Sequence, residues 1–127
     1  MGLFTLPEAD AELARLLPIL DELVAVRADA TELSATLKRH EDPGSLGGLP
    51  ELKGMQARLD ELMSEVQETG AELMGFAPLL IDFPAELDGV DIRLCWLEGD
   101  RELAWYHRGD LGFPARRPLD RAAIADA

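Results

Sequence analysis

Apolar side chains recur every three or four residues through the first half of the chain, which is the spacing of one face of an α-helix. Thr5 and Glu8 form the pattern of a capping box, so a helix is predicted to begin there. Pro18 interrupts the apolar spacing and removes one backbone donor, so we expect a kink or a break at that point. The first helix is therefore predicted as a short arm over 6–16 followed by a longer segment over 18–39.

A second helix is predicted after residues 38–49, a connection rich in glycine and without periodicity. Pro50 suits a first helical turn, and Gly70 suits the left-handed position that ends a helix. Between them, apolar residues follow a heptad seam with alternating steps of three and four residues: Leu52, Met55, Leu59, Leu62 and Val66. Helices joined by a short connection pack antiparallel, so residues 5–70 are predicted to form a helical hairpin.

The apolar spacing changes after Gly70 to every second residue, which is typical of strands. The pair Asp88–Gly89 is the signature of a two-residue type I′ hairpin. Three or four short antiparallel strands are predicted, with residues 109–118 as a turn-rich loop. The fold class is therefore α+β: one domain over 1–127, with the hairpin over 5–70, a small antiparallel sheet and C-terminal loop over 71–119, and a tail over 120–127.

Charge and cysteine content narrow the classes of partner. The 127 residues include 12 basic and 25 acidic side chains, a formal net charge of −13, which disfavours nucleic acid and anionic membranes as partners. No apolar run is long enough to span a bilayer, and the N-terminus lacks the pattern of a secretory signal. The lone Cys95 predicts that the chain has no internal disulfide and no thiolate-based zinc site. We expect a cytoplasmic protein without metal or cofactor.

The helical hairpin predicts self-association. Two helices cannot enclose a core of their own, and a large exposed apolar stripe is uncommon on a monomer. The heptad seam is therefore predicted to be the interface of a homodimer in which two hairpins form a four-helix bundle. The alternative is a monomer in which the sheet and the N-terminal arm cover the stripe.

The rarer residue types gather near one predicted loop and form a candidate ligand-binding cluster: Asp82, Trp105, His107, Asp110, Arg116 and Arg117. In this cluster Asp110 would orient His107 as a base or ligand, and the two arginines would clamp an anion. Simpler interpretations are a packed core histidine, a cross-strand pair of Trp96 with Trp105, and arginines that pair with helix carboxylates. Cys95 is not expected to act as a nucleophile, because the strand pattern predicts burial without an activating base.

Several short motifs in fixed order resemble an uncharacterised bacterial family, the domain of unknown function numbered 2203. They are residues 4–9 (FTLPEA), 16–18 (LLP), 81–84 (IDFP), 88–89 (DG), 94–96 (LCW), 105–107 (WYH) and 112–119 (GFPARRPL). The resemblance covers residues 3–119. It implies a bacterial cytoplasmic protein with a helical hairpin and a small sheet, and it implies no activity.

Two functions remain open from the sequence. The leading hypothesis is a non-enzymatic oligomerisation and interaction module whose sheet surface binds another protein, because no complete catalytic motif is present. The alternative is a small-molecule or anion-binding protein, or an enzyme, with a pocket built around Trp105, His107, Arg116 and Arg117. Convergence of His107, Arg117 and Asp82 on one concave pocket would favour the alternative.

Overall fold

The computed structural model describes residues 3–124 and has two long helices followed by an antiparallel sheet, which confirms the α+β class. The helices are α1 (Leu6–Lys38), α2 (Leu49–Glu68) and the short α3 (Arg121–Ile124). The strands are β1 (Glu72–Phe76), β2 (Leu79–Leu87), β3 (Val90–Leu97), β4 (Trp105–Arg108) and β5 (Arg117–Pro118). The predicted tail at 120–127 contains α3, and its last three residues lie outside the described part of the chain.

The capping box at the start of α1 forms as predicted. The Thr5 N–H donates to Glu8 Oε1 at 2.9 Å, and the Glu8 N–H donates to Thr5 Oγ1 at 3.2 Å. The expected break at Pro18 is wrong, because α1 runs without interruption through that residue. Pro18 and Ala14 both lie on the exposed side of the helix, where water can satisfy the carbonyl that loses its partner.

The described part of the chain divides into two compact units, one formed by residues 17–65 and the other by residues 3–16 and 66–124. The prediction of a single domain stays a prediction. The unit over 17–65 is a helical hairpin whose buried leucines come from both helices. Across it Arg58 makes a bidentate ion pair with Glu22, at 2.6 and 2.8 Å.

The heptad seam of α2 is covered within the chain itself. Leu62 and Val66 have no exposed surface, Leu52 and Leu59 keep 7% and 8%, and Met55 is half-buried. The dimer was predicted because a bare seam would expose apolar surface, and this reason no longer holds. The homodimer itself stays a prediction. Among residues 3–124, no helix combines the length and apolar character needed to span a membrane.

The second unit contains a five-stranded sheet with the order β1-β2-β3-β4-β5, in which every neighbouring pair is antiparallel. The prediction of three or four strands was therefore too low. The extra strand, β5, has only two residues, which is too short for alternation to reveal, and it lies in the segment predicted as loop. Asp88 and Gly89 both have positive φ, which confirms the type I′ hairpin between β2 and β3.

The register gives the central strands two chemically different faces. The core face is apolar, and Phe83 on this face packs edge-on against Phe4 at 5.3 Å between ring centroids. The buried residues on this face are Ile81, Phe83, Ala85, Ile92, Leu94 and Trp96. The opposite face carries Asp82 directly across from Cys95, and Cys95 across from Trp105. This polar face is where the predicted site residues begin to converge.

Candidate functional site

A buried cluster of Asp82, Cys95 and His107 lies on the polar face of the sheet. These residues come from β2, β3 and β4, and their exposures are 3%, 0% and 5%. His107 Nε2 lies 3.2 Å from Asp82 Oδ2, and one nitrogen, sulfur or oxygen atom from each residue falls within 4.8 Å of the other two. We refer to these three residues as the buried cluster.

The histidine ring is oriented by a backbone hydrogen bond. His107 Nδ1 lies 2.8 Å from the carbonyl oxygen of Arg108. A carbonyl can only accept, so Nδ1 carries the hydrogen, and in the neutral ring Nε2 presents a lone pair towards Asp82. The second carboxylate oxygen, Asp82 Oδ1, is buried and has no hydrogen-bond partner within the described residues. The buried cluster therefore holds more acceptors than donors.

Burial also changes the acidity of two members of the cluster. It raises the pKa of the Asp82 carboxyl, while the neighbouring His107 and the Cys95 thiol act in the opposite direction. Burial, reinforced by the negative charge of Asp82, raises the pKa of the Cys95 thiol to about 12. The thiol is consequently neutral near pH 7, and this environment alone does not produce a thiolate nucleophile.

Trp105 shares the polar face with the buried cluster and supports an arginine. The Arg116 guanidinium carbon lies 4.5 Å from the Trp105 ring centroid and 4.2 Å from that of Phe113. The guanidinium thus stacks on two aromatic rings. Trp96 lies on the core face, and its indole N–H donates to the Asp100 carbonyl at 2.9 Å. The predicted cross-strand pair of tryptophans is therefore wrong.

A cavity of about 670 Å³ opens at the end of the sheet near the β2–β3 hairpin. Tyr106 and Arg108 of β4 line it, and alternation places both on the core side of the sheet, opposite to His107. The complete lining is Leu87, Asp88, Val90, Ile92, Tyr106, Arg108, Leu111, Ala115, Arg116 and Arg117. We refer to this space as the basic cavity.

The predicted ligand-binding residues are divided between the two faces of the sheet. Asp82 and His107 meet in the buried cluster, and Trp105 is their neighbour on the same face. Arg117 lies across from Tyr106 and lines the basic cavity, so it does not converge with Asp82 and His107.

Asp110 is also separate from the buried cluster. It makes a bidentate ion pair with Arg108, at 3.0 and 2.6 Å. The carboxylate that contacts His107 is therefore that of Asp82, and the predicted orientation of His107 by Asp110 is not seen.

The sequence made Cys95 and Tyr106 candidates, but it did not predict that Cys95 lies beside Asp82 and His107, and it missed Arg108 as a cavity residue. The signal for Cys95 was present, because a two-residue hairpin at Asp88–Gly89 fixes the pairing of β2 with β3. Counting six residues outwards from each side of the turn places Asp82 opposite Cys95. No comparable signal in the sequence fixes the register of β4 on β3, because the connection between these two strands has seven residues.

A family model described as an uncharacterized conserved protein (DUF2203) matches residues 2–119. No curated protein and no solved structure shows significant similarity to the chain.

Proposed function

The chain belongs to the uncharacterized conserved protein family DUF2203, a description that names no activity, and we propose from the geometry that it binds a small organic anion in the basic cavity. The observation that carries this proposal is the charge of the lining. Three arginines and one aspartate line the cavity of a chain whose formal net charge is −13. Asp110 neutralises Arg108, and the remaining Arg116 and Arg117 still outnumber Asp88 in the lining. Such a local excess of cations attracts an anionic ligand.

The arginines differ in how available they are to a ligand. Arg117 is exposed and makes no ion pair with any residue in the described part of the chain. Arg108 already holds Asp110 through both carboxylate oxygens, which is the bidentate geometry that a ligand carboxylate or phosphate would reproduce. Arg116 is held by its stacking on Trp105 and Phe113. Arg117 is therefore the side chain we expect to contact the anion first.

The remaining lining favours a ligand with an apolar part. Five of the ten lining residues are aliphatic: Leu87, Val90, Ile92, Leu111 and Ala115. Tyr106 adds a phenolic hydroxyl that can donate to an oxygen of the ligand. An apolar wall with a few converging polar groups is the usual composition of a small-molecule site. The ligand class is thus a carboxylate or a phosphate monoester attached to a hydrophobic group.

Isothermal titration calorimetry with octanoate, phenyl phosphate and inorganic phosphate tests this proposal. We expect the two organic anions to bind more tightly than inorganic phosphate, because only they can use the aliphatic wall. Arg117→Gln should weaken their binding about tenfold or more, which corresponds to the loss of a charge-assisted hydrogen bond of about 1.5–3 kcal/mol.

The matched control is Arg101→Gln, which removes an exposed arginine outside the cavity lining and should leave the affinity unchanged. Failure of both organic anions to bind would refute the proposal. Equal affinities for the wild type and Arg117→Gln would refute the assigned position of the anion.

Self-association through the hairpin is a second candidate function. It is supported by Leu49, which is 56% exposed on α2, and by Met55, which is only half-buried in the seam. A second copy that covered these side chains would remove apolar surface from water. Light scattering coupled to size-exclusion chromatography should then give about twice the 13.9 kDa chain mass. A mass equal to one chain over the micromolar range would contradict this candidate, as would an unchanged dimer in Met55→Glu.

A further inference from the structure

We propose that the buried cluster of Asp82, Cys95 and His107 is a binding site for one divalent transition-metal ion of the zinc class. The three side chains supply an oxygen, a sulfur and a nitrogen ligand from three adjacent strands. This site lies on the polar face of the sheet, so it is distinct from the basic cavity and does not depend on the proposed anion.

The spacing of the ligand atoms fits such an ion. Zinc holds nitrogen and oxygen at about 2.0–2.2 Å and sulfur at about 2.3 Å, which places tetrahedral ligands about 3.3–3.7 Å from one another. His107 Nε2 and Asp82 Oδ2 are already 3.2 Å apart, and all three ligand atoms lie within 4.8 Å. Small side-chain movements towards a common centre complete the geometry.

The buried cluster has more hydrogen-bond acceptors than donors, which favours the binding of a cation. In the neutral ring, with the hydrogen on Nδ1, the lone pair of His107 Nε2 faces a carboxylate oxygen, and two acceptors at this distance repel unless a proton or a metal ion lies between them. Asp82 Oδ1 is a second acceptor without a hydrogen-bond partner among the described residues, although its side chain is only 5% exposed. Buried polar atoms are normally satisfied, so this unpaired oxygen is an independent indication that the site can accept a donor or a cation.

The outer contacts also match those of a metal site. Metal-binding histidines usually donate their other ring N–H to a carbonyl or a carboxylate, which fixes both the tautomer and the ring orientation. His107 does this through Nδ1 and the Arg108 carbonyl, at 2.8 Å. Because the three ligands stand on paired strands and not on loops, their relative positions are held by the sheet.

Charge balance selects the type of ion. Binding releases the thiol proton of Cys95 to solvent as the metal–sulfur bond forms, and the carboxylate of Asp82 supplies the second negative charge. A divalent ion then makes the buried site neutral, which avoids the cost of an uncompensated charge. The thiolate favours zinc-class ions over magnesium and calcium, which prefer oxygen ligands. Three protein ligands leave the fourth tetrahedral position for another donor.

Titration of chelator-treated full-length protein with Co²⁺ tests the site, because Co²⁺ is a coloured substitute for Zn²⁺. We expect one ion per chain, a thiolate-to-cobalt charge-transfer band in the near ultraviolet, and loss of the cobalt spectrum on addition of Zn²⁺. Cys95 is the only cysteine, so a charge-transfer band can come from no other side chain. The wild-type spectrum therefore decides the question even if a cluster variant fails to fold.

The variants provide a second test. Cys95→Ser should abolish the charge-transfer band, and His107→Gln should weaken Co²⁺ binding at least a hundredfold. His40→Gln, which changes the other histidine of the chain, should leave both properties unchanged because His40 is exposed in the hairpin connection. Absence of the band in wild-type protein would overturn the proposal. Loss of Co²⁺ binding in His40→Gln would overturn it as well, since the ion would then be bound elsewhere.

Discussion

Replacing Asp82 by asparagine should stabilise the metal-free protein, although it alters a buried residue. In the wild type, Asp82 Oδ2 lies 3.2 Å from His107 Nε2, which carries a lone pair in the neutral ring, and Asp82 Oδ1 has no partner among the described residues. The amide of asparagine has nearly the same shape as the carboxylate, and its N–H₂ group can donate to His107 Nε2. The substitution also removes a carboxyl whose ionised form is penalised by burial, as the raised pKa of Asp82 indicates.

The size of this effect follows from the hydrogen bonds involved. An unsatisfied buried polar group costs about 1–3 kcal/mol, and one new neutral hydrogen bond contributes about 0.5–1.5 kcal/mol. Since Oδ1 remains unpaired in the amide, its cost cancels, and we expect the new hydrogen bond to raise the free energy of unfolding by about 0.5–1.5 kcal/mol. For a chain of this length, a gain of 1 kcal/mol raises Tm by about 4 °C, so the expected increase in Tm is about 2–6 °C.

Urea unfolding at neutral pH in the presence of a chelator measures this difference. Asp91→Asn is the matched control, because Asp91 is an exposed carboxylate that pairs with Arg93 and should change the free energy of unfolding by less than about 0.5 kcal/mol. If Asp82→Asn lowered the free energy of unfolding by more than about 1 kcal/mol, the contact between His107 and Asp82 would be a stabilising ion pair. The claim that the metal-free cluster has more hydrogen-bond acceptors than donors would then be wrong.

Three further predictions concern the helices, and urea unfolding checks each. Leu62→Ala should lower the free energy of unfolding by about 2–5 kcal/mol, because Leu62 has no exposed surface and its truncation leaves a void. Thr5→Ala should lower the free energy of unfolding by about 1 kcal/mol, because Thr5 Oγ1 no longer accepts from the Glu8 N–H. An unchanged midpoint of urea unfolding would contradict a stabilising role of this cap. Glu22→Gln should flatten the acid dependence of stability. Its hydrogen bonds with Arg58 lower the pKa of Glu22, so the stability it contributes is present above the pKa of the unfolded chain and is lost as pH falls through the folded value. Equal slopes below about pH 4 in the wild type and Glu22→Gln would contradict this.

Local signals in the sequence were sufficient to predict the two long helices and one turn. The capping box at Thr5 and Glu8 involves residues three apart, and the type I′ turn at Asp88–Gly89 needs only two residues with positive φ. Such features depend on short-range sterics and hydrogen bonds, so neighbouring residues determine them. The effect of Pro18 was misjudged, because a proline on the exposed side of a long helix loses one hydrogen bond but no packing.

The arrangement of the site depends on pairings that local signals do not specify. Asp82 and Cys95 meet because of the turn between them, but His107 joins them only through the register of β4 on β3, in which Cys95 lies across from Trp105. The connection between these strands is too long for a turn to set that register. The two-residue strand β5, which places Arg117 across from Tyr106, is likewise held by tertiary hydrogen bonds.

Strand β4 contributes to both candidate sites because its side chains alternate between the faces of the sheet. Tyr106 and Arg108 point towards the basic cavity, and His107 points towards the buried cluster. Arg108 serves both sides with different atoms, since its backbone carbonyl accepts from His107 Nδ1 while its side chain lines the cavity. Any substitution of Arg108 keeps that carbonyl, so Arg108→Gln changes the charge of the cavity and leaves the hydrogen bond to His107 available. The same reasoning makes His107→Gln selective for the cluster, and the two proposed sites can therefore fail or succeed independently.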